Sequence, residues 1–260
     1  MVVFSANCIG ASHLKMEKRC QDFSTHWHSN KNAIIAVADG HGSDEHFRSD
    51  RGSRFAVEAA YDCVKELLFT NGKHRSHLDN YETVLEALEK SIIAAWYEKV
   101  AQDLRADPLE DDVIAPYGTT LLAAAMTEHF WFALQIGDGK CVCLEKDSFG
   151  CCIFADQPVP WDDNCFLNKT TSLCDKNAIK LFRHYYSETL PLAVFLGSDG
   201  IDDSFPVFNN ESHLSRFYQS VYNNFLKEGK KNGELQLREI LPLLTQKGSG
   251  DDVSIAGIIG

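Results

Sequence analysis

The order of strand and helix patterns along the chain constrains its fold most. Apolar runs typical of buried strands cluster in the middle and at the ends of the sequence, and amphipathic helices are predicted in pairs between them. The predicted segments, in chain order, are strand 33–38, helices 51–69 and 80–104, strands 119–126, 130–137, 140–145, 151–155 and 191–197, helices 211–227 and 233–245, and strand 251–260. Few segments alternate strand, helix, strand, as parallel sheets require. We therefore expect an α+β fold, a mainly antiparallel sandwich covered by helices.

Charge and length narrow the possible functions. The chain has 260 residues and a net charge of −12. This length can enclose one large core or two small ones, and we expect one domain over residues 1–260. Strong acidity disfavours binding to nucleic acid or to an anionic membrane, and it suits a site that collects cations. No apolar run approaches the roughly 18 residues that span a bilayer, and the N-terminus lacks the features of a signal peptide.

The nine cysteines fit neither a disulfide framework nor a zinc site, because their number is odd and no pair of C-x-x-C units occurs. Cys141 and Cys143 alternate in a strand pattern and so share a face. We interpret these two residues as reduced core thiols, which predicts a cytoplasmic protein, and a redox role is the alternative.

Carboxylates stand at the ends of four predicted strands. Asp39, Asp138 and Asp199 each follow an apolar run and precede a glycine, and Asp251 with Asp252 precedes the last strand. A plain turn is the alternative at each place, and it is strongest at Asp138, where another strand pattern follows at once. It is weakest at Asp39, which leads into a helix.

Together these carboxylates predict a metal site. Oxygen ligands suit hard divalent cations such as Mg²⁺ and Mn²⁺, and strand ends hold side chains rigidly. Because several carboxylates without a cation would repel one another, their convergence would imply a bound metal.

Five motifs occur in an order that resembles the metal-dependent serine/threonine phosphatases of the protein phosphatase 2C (PPM) type. They are "VADGHG" at 37–42, "YGTTL" at 117–121, "IGDG" at 136–139, "GSDGIDD" at 197–203 and "GDDVSI" at 250–255. "CQDF" at 20–23 is similar to the family's early acidic element, and "ASH" at 11–13 is similar to a bacterial branch. The resemblance implies a four-layer α-β-β-α sandwich of two antiparallel sheets flanked by helix pairs.

The resemblance also implies roles for individual residues. Asp39 would bridge two Mg²⁺ or Mn²⁺ ions, and the carbonyl of Gly40 would bind one of them. The remaining implied roles are metal ligation by Asp199 and Asp251, a third and looser metal position at Asp138 and Asp203 with Asp199, support of metal-bound waters by Asp22, and general-acid catalysis by His41. The implied reaction is hydrolysis of phosphoserine and phosphothreonine in proteins by a water that two metals activate.

Three departures from the family pattern affect the expected binding of phosphate more than the expected binding of metal. Glu17 stands where eukaryotic members have an arginine that holds phosphate, Gln21 replaces a frequent glutamate, and Lys140 replaces an arginine. We name His13 and Lys15 as candidate phosphate-binding residues, with Lys18 and Arg19 as further candidates.

We therefore predict a protein phosphatase that acts on phosphoproteins, with a cognate serine/threonine kinase as an expected partner. The alternatives are a phosphatase-like metal-binding sensor or regulatory module with weak turnover, and a small-molecule phosphomonoesterase. The irregular segment 156–178 is either a flap near the site or an ordinary surface excursion.

Overall fold

A computed structural model describes residues 1–70, 73–110, 113–166 and 169–260 of the protein. Within these ranges, ten strands form two five-stranded sheets, and two short strands form a separate ladder. The strands, in chain order, are β1 (Val2–Cys8), β2 (Phe23–His28), β3 (Ala33–Ala38), β4 (Phe69–Thr70), β5 (Lys73–His74), β6 (Leu121–Met126), β7 (Trp131–Ile136), β8 (Lys140–Lys146), β9 (Ile153–Asp156), β10 (Arg183–Ser187), β11 (Ala193–Gly197) and β12 (Val253–Ile259).

Neighbouring strands are antiparallel in both large sheets. The first sheet has the order β1-β12-β11-β8-β9, and the second has the order β10-β7-β6-β3-β2. The predicted antiparallel sandwich is therefore confirmed. Strands β7 and β8 belong to different sheets, so the hairpin interpretation of the turn at Asp138 is wrong. The chain crosses there from one sheet to the other, and Gly137 supplies the left-handed backbone conformation (φ 103°) that this step uses.

The long helices predicted at 51–69 and 80–104 are confirmed, whereas the short helices at 11–15 and 178–181 were not identified from the sequence pattern. They are α1 (Ala11–Lys15), α2 (Ser49–Leu68), α3 (Tyr81–Ala106), α4 (Ala178–Leu181), α5 (Asp199–Asp202) and α6 (Asn210–Lys247). The two helices predicted at 211–227 and 233–245 form one element, α6, with a kink at Gly229 (φ 75°, ψ 172°). Only this residue leaves the helical conformation, so most of the polar segment between the two predicted helices is itself helical. Among the described helices, none is both long and apolar enough to cross a bilayer.

Helices cover both outer faces of the sandwich, which confirms the four-layer architecture. Helices α2 and α3 pack on the second sheet, and α6 packs on the first. Strand β8 illustrates the layering, because Cys141 and Cys143 face the core between the sheets, whereas Val142 and Leu144 face α6. All nine cysteines carry free thiols.

The sequence pattern did not identify strands β1, β2 and β10, and all three lie at sheet edges. Each mixes polar and apolar residues and is only partly buried, as in "FSTHWH" of β2 and "RHYYS" of β10. An edge strand has one neighbour and one open side, so its sequence lacks the continuous apolar run of a central strand.

Candidate metal centre and active site

Strand register brings the predicted carboxylates to one end of the sandwich. In the second sheet, Phe23 pairs with Ala38 and Leu121 pairs with Ile136, so the residues before β2 and β6 and after β3 and β7 lie together. In the first sheet, Gly197 pairs with both Lys140 and Ile255, which places the residues after β11 beside those before β8 and β12. Asp22, Asp39, Asp138, Asp199 and Asp251 follow or precede these positions, and they influence one another electrostatically across the two sheets.

The backbone of Asp39 is held by the "YGTT" segment. Its N–H donates to Oγ1 of Thr120 (3.1 Å), and its carbonyl accepts from the N–H of Thr120 (2.9 Å) and from Oγ1 of Thr119 (2.8 Å). These bonds fix the carboxylate at the end of β3. They give the two threonines a structural role that the sequence motif did not reveal.

Gly40 lies where no side chain fits. A Cβ there would stand 2.6 Å from the carbonyl oxygen of Gln21 and 2.7 Å from that of Ser49. The glycine therefore permits the close approach of three backbone segments beside Asp39.

Three carboxyl groups at the centre are unusually hard to ionise. Burial, reinforced by the neighbouring Asp252, raises the pKa of Asp22 to about 8. Burial also raises the pKa of Asp199 to about 6, with Asp138, Asp251 and Asp203 adding to the rise. The pKa of Asp39 lies well above its usual value because of burial and of the charges on Asp199 and Asp22.

Several buried oxygens in this centre have no protein donor. Within the described ranges, both carboxylate oxygens of Asp22 and Oδ1 of Asp199 lack a hydrogen-bond partner. Buried carboxylates without donors are costly unless a cation offsets their charge. An all-oxygen set at a rigid edge is the donor chemistry that Mg²⁺ and Mn²⁺ prefer, so these residues fit a divalent metal.

The raised pKa values predict that the metal-free protein loses stability as pH rises. The folded chain binds more protons than the unfolded chain between the usual carboxyl pKa of 3.8 and the value of about 8 for Asp22. The free energy of unfolding therefore falls across this window by up to a few kcal/mol. We expect a lower midpoint of thermal unfolding at pH 8 than at pH 5 in EDTA, with recovery when Mn²⁺ is added.

The variant Asp22→Asn is the control for this prediction, because it removes the carboxyl group whose pKa is raised to about 8. Its stability should vary less with pH between 5 and 8 than that of the natural sequence. An equal pH dependence in both proteins would contradict the assignment of the effect to this carboxyl group.

Asp138 and Asp203 lie at the outer side of the centre. Burial raises the pKa of both groups, and for Asp203 the charges of Asp202 and Asp138 add to the effect. The nearby Lys140 has its ammonium 3.7 Å from Oδ2 of Asp202 and 4.2 Å from the ring centre of Trp161. Lys140 therefore connects this acidic rim to the irregular segment 156–178.

The adjacent residues Asp251 and Asp252 differ completely in environment. Asp252 is buried, and its two oxygens accept the backbone N–H groups of Gly10 (2.6 Å) and Gln21 (2.5 Å). Asp251 is exposed over 56% of its side chain and faces the centre from its rim. No individual role was predicted for Asp252, although the alternation of side chains along a strand would place these two neighbouring aspartates on opposite faces.

Gln21 connects the early acidic element to the histidine of the "ADGHG" motif. Its Nε2 donates to the carbonyl oxygen of His41 (3.1 Å) and to Oγ of Ser49 (2.6 Å). Its Oε1 is buried without a partner in the described part of the chain. Gln21 thus supplies one neutral oxygen where a glutamate would supply a charged one.

His41 is held in a desolvated position beside a second histidine. The backbone N–H of His41 donates to the carbonyl oxygen of Gly118 (3.1 Å). The centre of its imidazole ring lies 4.8 Å from the ring centre of His46. Burial, with a contribution from His46, lowers the pKa of His41 to about 4. The imidazole is therefore neutral at pH 7 when no anion is bound.

The candidate phosphate-binding residues lie in different surroundings. His13 faces the carboxylates of Asp251 and Asp252, which would repel a phosphate, so the structure argues against this role for His13. Lys15 is exposed on α1, and its phosphate-binding role stays a prediction. Glu17 is exposed in a left-handed backbone conformation (φ 55°).

A cavity of about 270 Å³ adjoins Gln21, and two other basic side chains line it. Lys18 and Arg19 line it together with Phe47. The ammonium of Lys18 donates to the carbonyl oxygen of Gly42 (3.3 Å), next to His41. These two residues are therefore basic groups beside the centre that could reach a bound phosphate group.

The sequence model of protein phosphatase 2C matches residues 9–242. The chain belongs to the protein phosphatase 2C family. This phosphatase 2C chain is therefore a member of the class of protein serine/threonine phosphatases. The match ends before Asp251 and Asp252, so their place beside the centre is known from the fold. No curated protein sequence matched the chain.

Solved structures share the phosphatase 2C fold over almost the whole chain at low sequence identity. The crystal structure of a bacterial serine phosphatase is 16% identical, with a TM-score of 0.63, and the match covers 99% of this chain and 96% of that one. Stp1 from Staphylococcus aureus is 15% identical, with a TM-score of 0.62 and coverage of 100% and 96%. The catalytic domain of the serine threonine protein phosphatase PstP, in complex with two manganese ions, is 15% identical, with a TM-score of 0.60 and coverage of 98% and 96%.

Proposed function

We propose that this chain hydrolyses phosphoserine and phosphothreonine in proteins, with a water activated by two Mg²⁺ or Mn²⁺ ions. One observation carries the proposal: Asp22, Asp39 and Asp199 meet at one end of the sandwich with raised pKa values, and Asp22 and Asp199 have buried oxygens that lack donors in the described ranges. The manganese ions of the structurally similar PstP support the choice of metal. We also propose that residues 1–260 form one domain.

The metal ligands would be Asp39 with the Gly40 carbonyl, together with Asp199 and Asp251. Asp22 would hold metal-bound waters, and Asp138 and Asp203 would offer a third position with Asp199. The chemistry that such ions supply is activation of water at neutral pH and neutralisation of the phosphate charge. The protein contributes rigidity, because the threonines of the "YGTT" segment hold the Asp39 backbone.

His41 would give a proton to the oxygen that leaves with the serine or threonine side chain. Its pKa of about 4 is too low for a general acid in the empty site. A phosphate dianion beside the imidazole would favour the protonated form and raise this pKa. Hydrogen bonds to Gly118 and Gln21 hold the backbone of His41, two residues after Asp39.

The test is release of phosphate from a phosphothreonine peptide in the presence of Mn²⁺. We expect turnover by the natural sequence and background release by the Asp199→Ala variant. Equal release by the two proteins would refute the proposal, provided that circular dichroism shows both to be folded.

A metal-binding sensor with weak turnover is the second candidate function. It is favoured by Glu17, Gln21 and Lys140, which weaken the family's phosphate-binding and metal-supporting pattern. Tight binding of Mn²⁺ by calorimetry, with negligible release from phosphopeptides, would favour the sensor. A much faster reaction with small phosphate esters than with phosphopeptides would instead indicate a phosphomonoesterase.

Lys18 and Arg19 are expected to bind the phosphate group or the residues beside it. Both groups are exposed, so their contribution to substrate binding is modest. The double variant Lys18→Ala/Arg19→Ala should raise KM for a phosphopeptide about tenfold, which corresponds to about 1.4 kcal/mol of binding free energy. The kcat value should stay within about twofold, because these residues would bind the ground state and the transition state alike.

Arg54→Ala is the matched control, because Arg54 is likewise exposed and paired with a carboxylate, Glu58, as Arg19 is with Asp50, but it does not line the cavity. It should leave KM unchanged. If the double variant keeps the KM of the natural sequence, Lys15 becomes the stronger candidate.

The expected partners follow from the reaction. We propose phosphoprotein substrates and an opposing serine/threonine kinase, in the cytoplasm. The net charge of −12 disfavours nucleic acid and anionic membranes as partners.

A further inference from the structure

His13 is a buried histidine whose surroundings the phosphatase reaction does not explain. It lies in α1, and only 8% of the residue is exposed. Its Nε2 is 3.5 Å from Oδ1 of Asp251, and its Nδ1 is 3.0 Å from Oδ1 of Asp252. Despite the short distance, Nδ1 has no hydrogen-bond partner of acceptable geometry in the described part of the chain.

This arrangement needs a cation. A neutral imidazole carries one N–H and one lone pair, so in either tautomer one unprotonated nitrogen faces a carboxylate oxygen. Two such acceptors repel each other unless a proton or a metal ion lies near them. Burial makes this repulsion more costly, because little water reaches the ring.

The three side chains also have the spacing of a metal site. One ligand atom from each of His13, Asp251 and Asp252 can be chosen so that all three lie within 4.8 Å of one another. Both oxygens of Asp252 already accept backbone N–H groups, but each carboxylate oxygen has a second lone pair available for a metal.

We propose that His13, Asp251 and Asp252 form a binding site for a divalent transition-metal ion such as Zn²⁺ or Co²⁺. The imidazole distinguishes it from the all-oxygen centre, because nitrogen ligands favour these ions over Mg²⁺ and Ca²⁺. The site adjoins the proposed catalytic centre and shares Asp251 with it, but its other two ligands are separate. An ion bound there would tie α1 to the segment before β12.

The experiment is a titration with Co²⁺, followed by its visible absorption and by calorimetry, in saturating Mg²⁺ that occupies the oxygen centre. We expect the natural sequence to bind Co²⁺ and the His13→Gln variant to bind it at least about tenfold more weakly, since loss of even a supporting residue costs a metal site 10- to 100-fold. Mg²⁺ affinity should be the same in both proteins. The matched control is His129→Gln, which alters an exposed histidine elsewhere and should leave Co²⁺ binding unchanged.

The outcome can be separated from that of the proposed function. In an Asp39→Asn background, phosphatase activity should be lost, whereas the Co²⁺ site should remain. Equal Co²⁺ affinity in the natural sequence and in His13→Gln would overturn the proposal. If His13→Gln does not fold, the nitrogen resonances of the histidine rings in the natural sequence decide the matter. A Zn²⁺-dependent shift of the His13 ring would support the site, and an unchanged ring would refute it.

Discussion

Replacing Asp39 by asparagine is expected to lower Mn²⁺-dependent phosphopeptide hydrolysis at least about 100-fold, the upper end of what loss of a supporting residue alone costs a metal site. The same change should make the metal-free protein more stable. Asp39 has a raised pKa because burial and two neighbouring carboxylates oppose its ionisation. An amide of the same size removes one charge from this group, so the midpoint of thermal unfolding in EDTA should rise at pH 8.

The two effects have opposite signs, which separates a metal ligand from a residue needed only for folding. Activity, calorimetric Mn²⁺ binding and thermal unfolding in EDTA are the three measurements. Asp163→Asn is a suitable control, because Asp163 is exposed on the irregular segment, and its replacement should change none of them. A variant of Asp39 that unfolds more easily in EDTA and keeps its activity would refute the assignment.

Replacing Gly52 by alanine is expected to destabilise the fold by about 3 kcal/mol, near the upper end for overpacking of a core. A Cβ at Gly52 would overlap the carbonyl oxygen of Tyr117 and stand 2.7 Å from its carbonyl carbon. Tyr117 cannot withdraw easily, because its hydroxyl is fixed between Arg48 (2.7 Å) and Asp103 (2.6 Å).

The damage should extend to the active site, because Gly118 follows Tyr117 and accepts the N–H of His41. Urea unfolding measures the loss of stability, and kcat measures the displacement of His41. Gly42→Ala is the control for stability, since a Cβ there would meet only Oε1 of Gln21, at an ordinary 3.7 Å. A Gly52→Ala protein within about 0.5 kcal/mol of the natural sequence, the range of neutral surface changes, would mean that α2 can shift away from Tyr117.

The sequence predicted the central strands because they are apolar on both faces. All six residues of β3 are buried, and the pattern located this strand and the carboxylate that follows it. The convergence of Asp39, Asp138 and Asp199 was only a hypothesis at the level of sequence, because it depends on strand register across two sheets. The crossing at Asp138 is an example: its local sequence is that of a hairpin, and only the partners of β7 and β8 reveal the change of sheet.

The residues around the metal centre were harder to predict than its carboxylates. His13 was expected to bind phosphate because it lies near Glu17, where the family has an arginine, yet the fold brings it to two aspartates more than 200 positions later. Lys18 and Arg19 were candidates for the same reason, and the cavity beside Gln21 distinguishes them from Lys15. Such choices depend on long-range packing, which no local pattern contains.

The pairing of β1 with β12 has a consequence for the order of folding. Val2 lies opposite Ile259, and among the described strands of this sheet only β12 lies beside β1. Contacts so distant in sequence form late, because a long loop must close before they contribute. The backbone N–H groups of Gly10 and Gln21 likewise form their hydrogen bonds to Asp252 only after that residue has folded beside them. During synthesis on the ribosome, the early acidic element would therefore lack these hydrogen bonds until Asp252 and β12 have emerged, and we expect metal binding to appear only after that point.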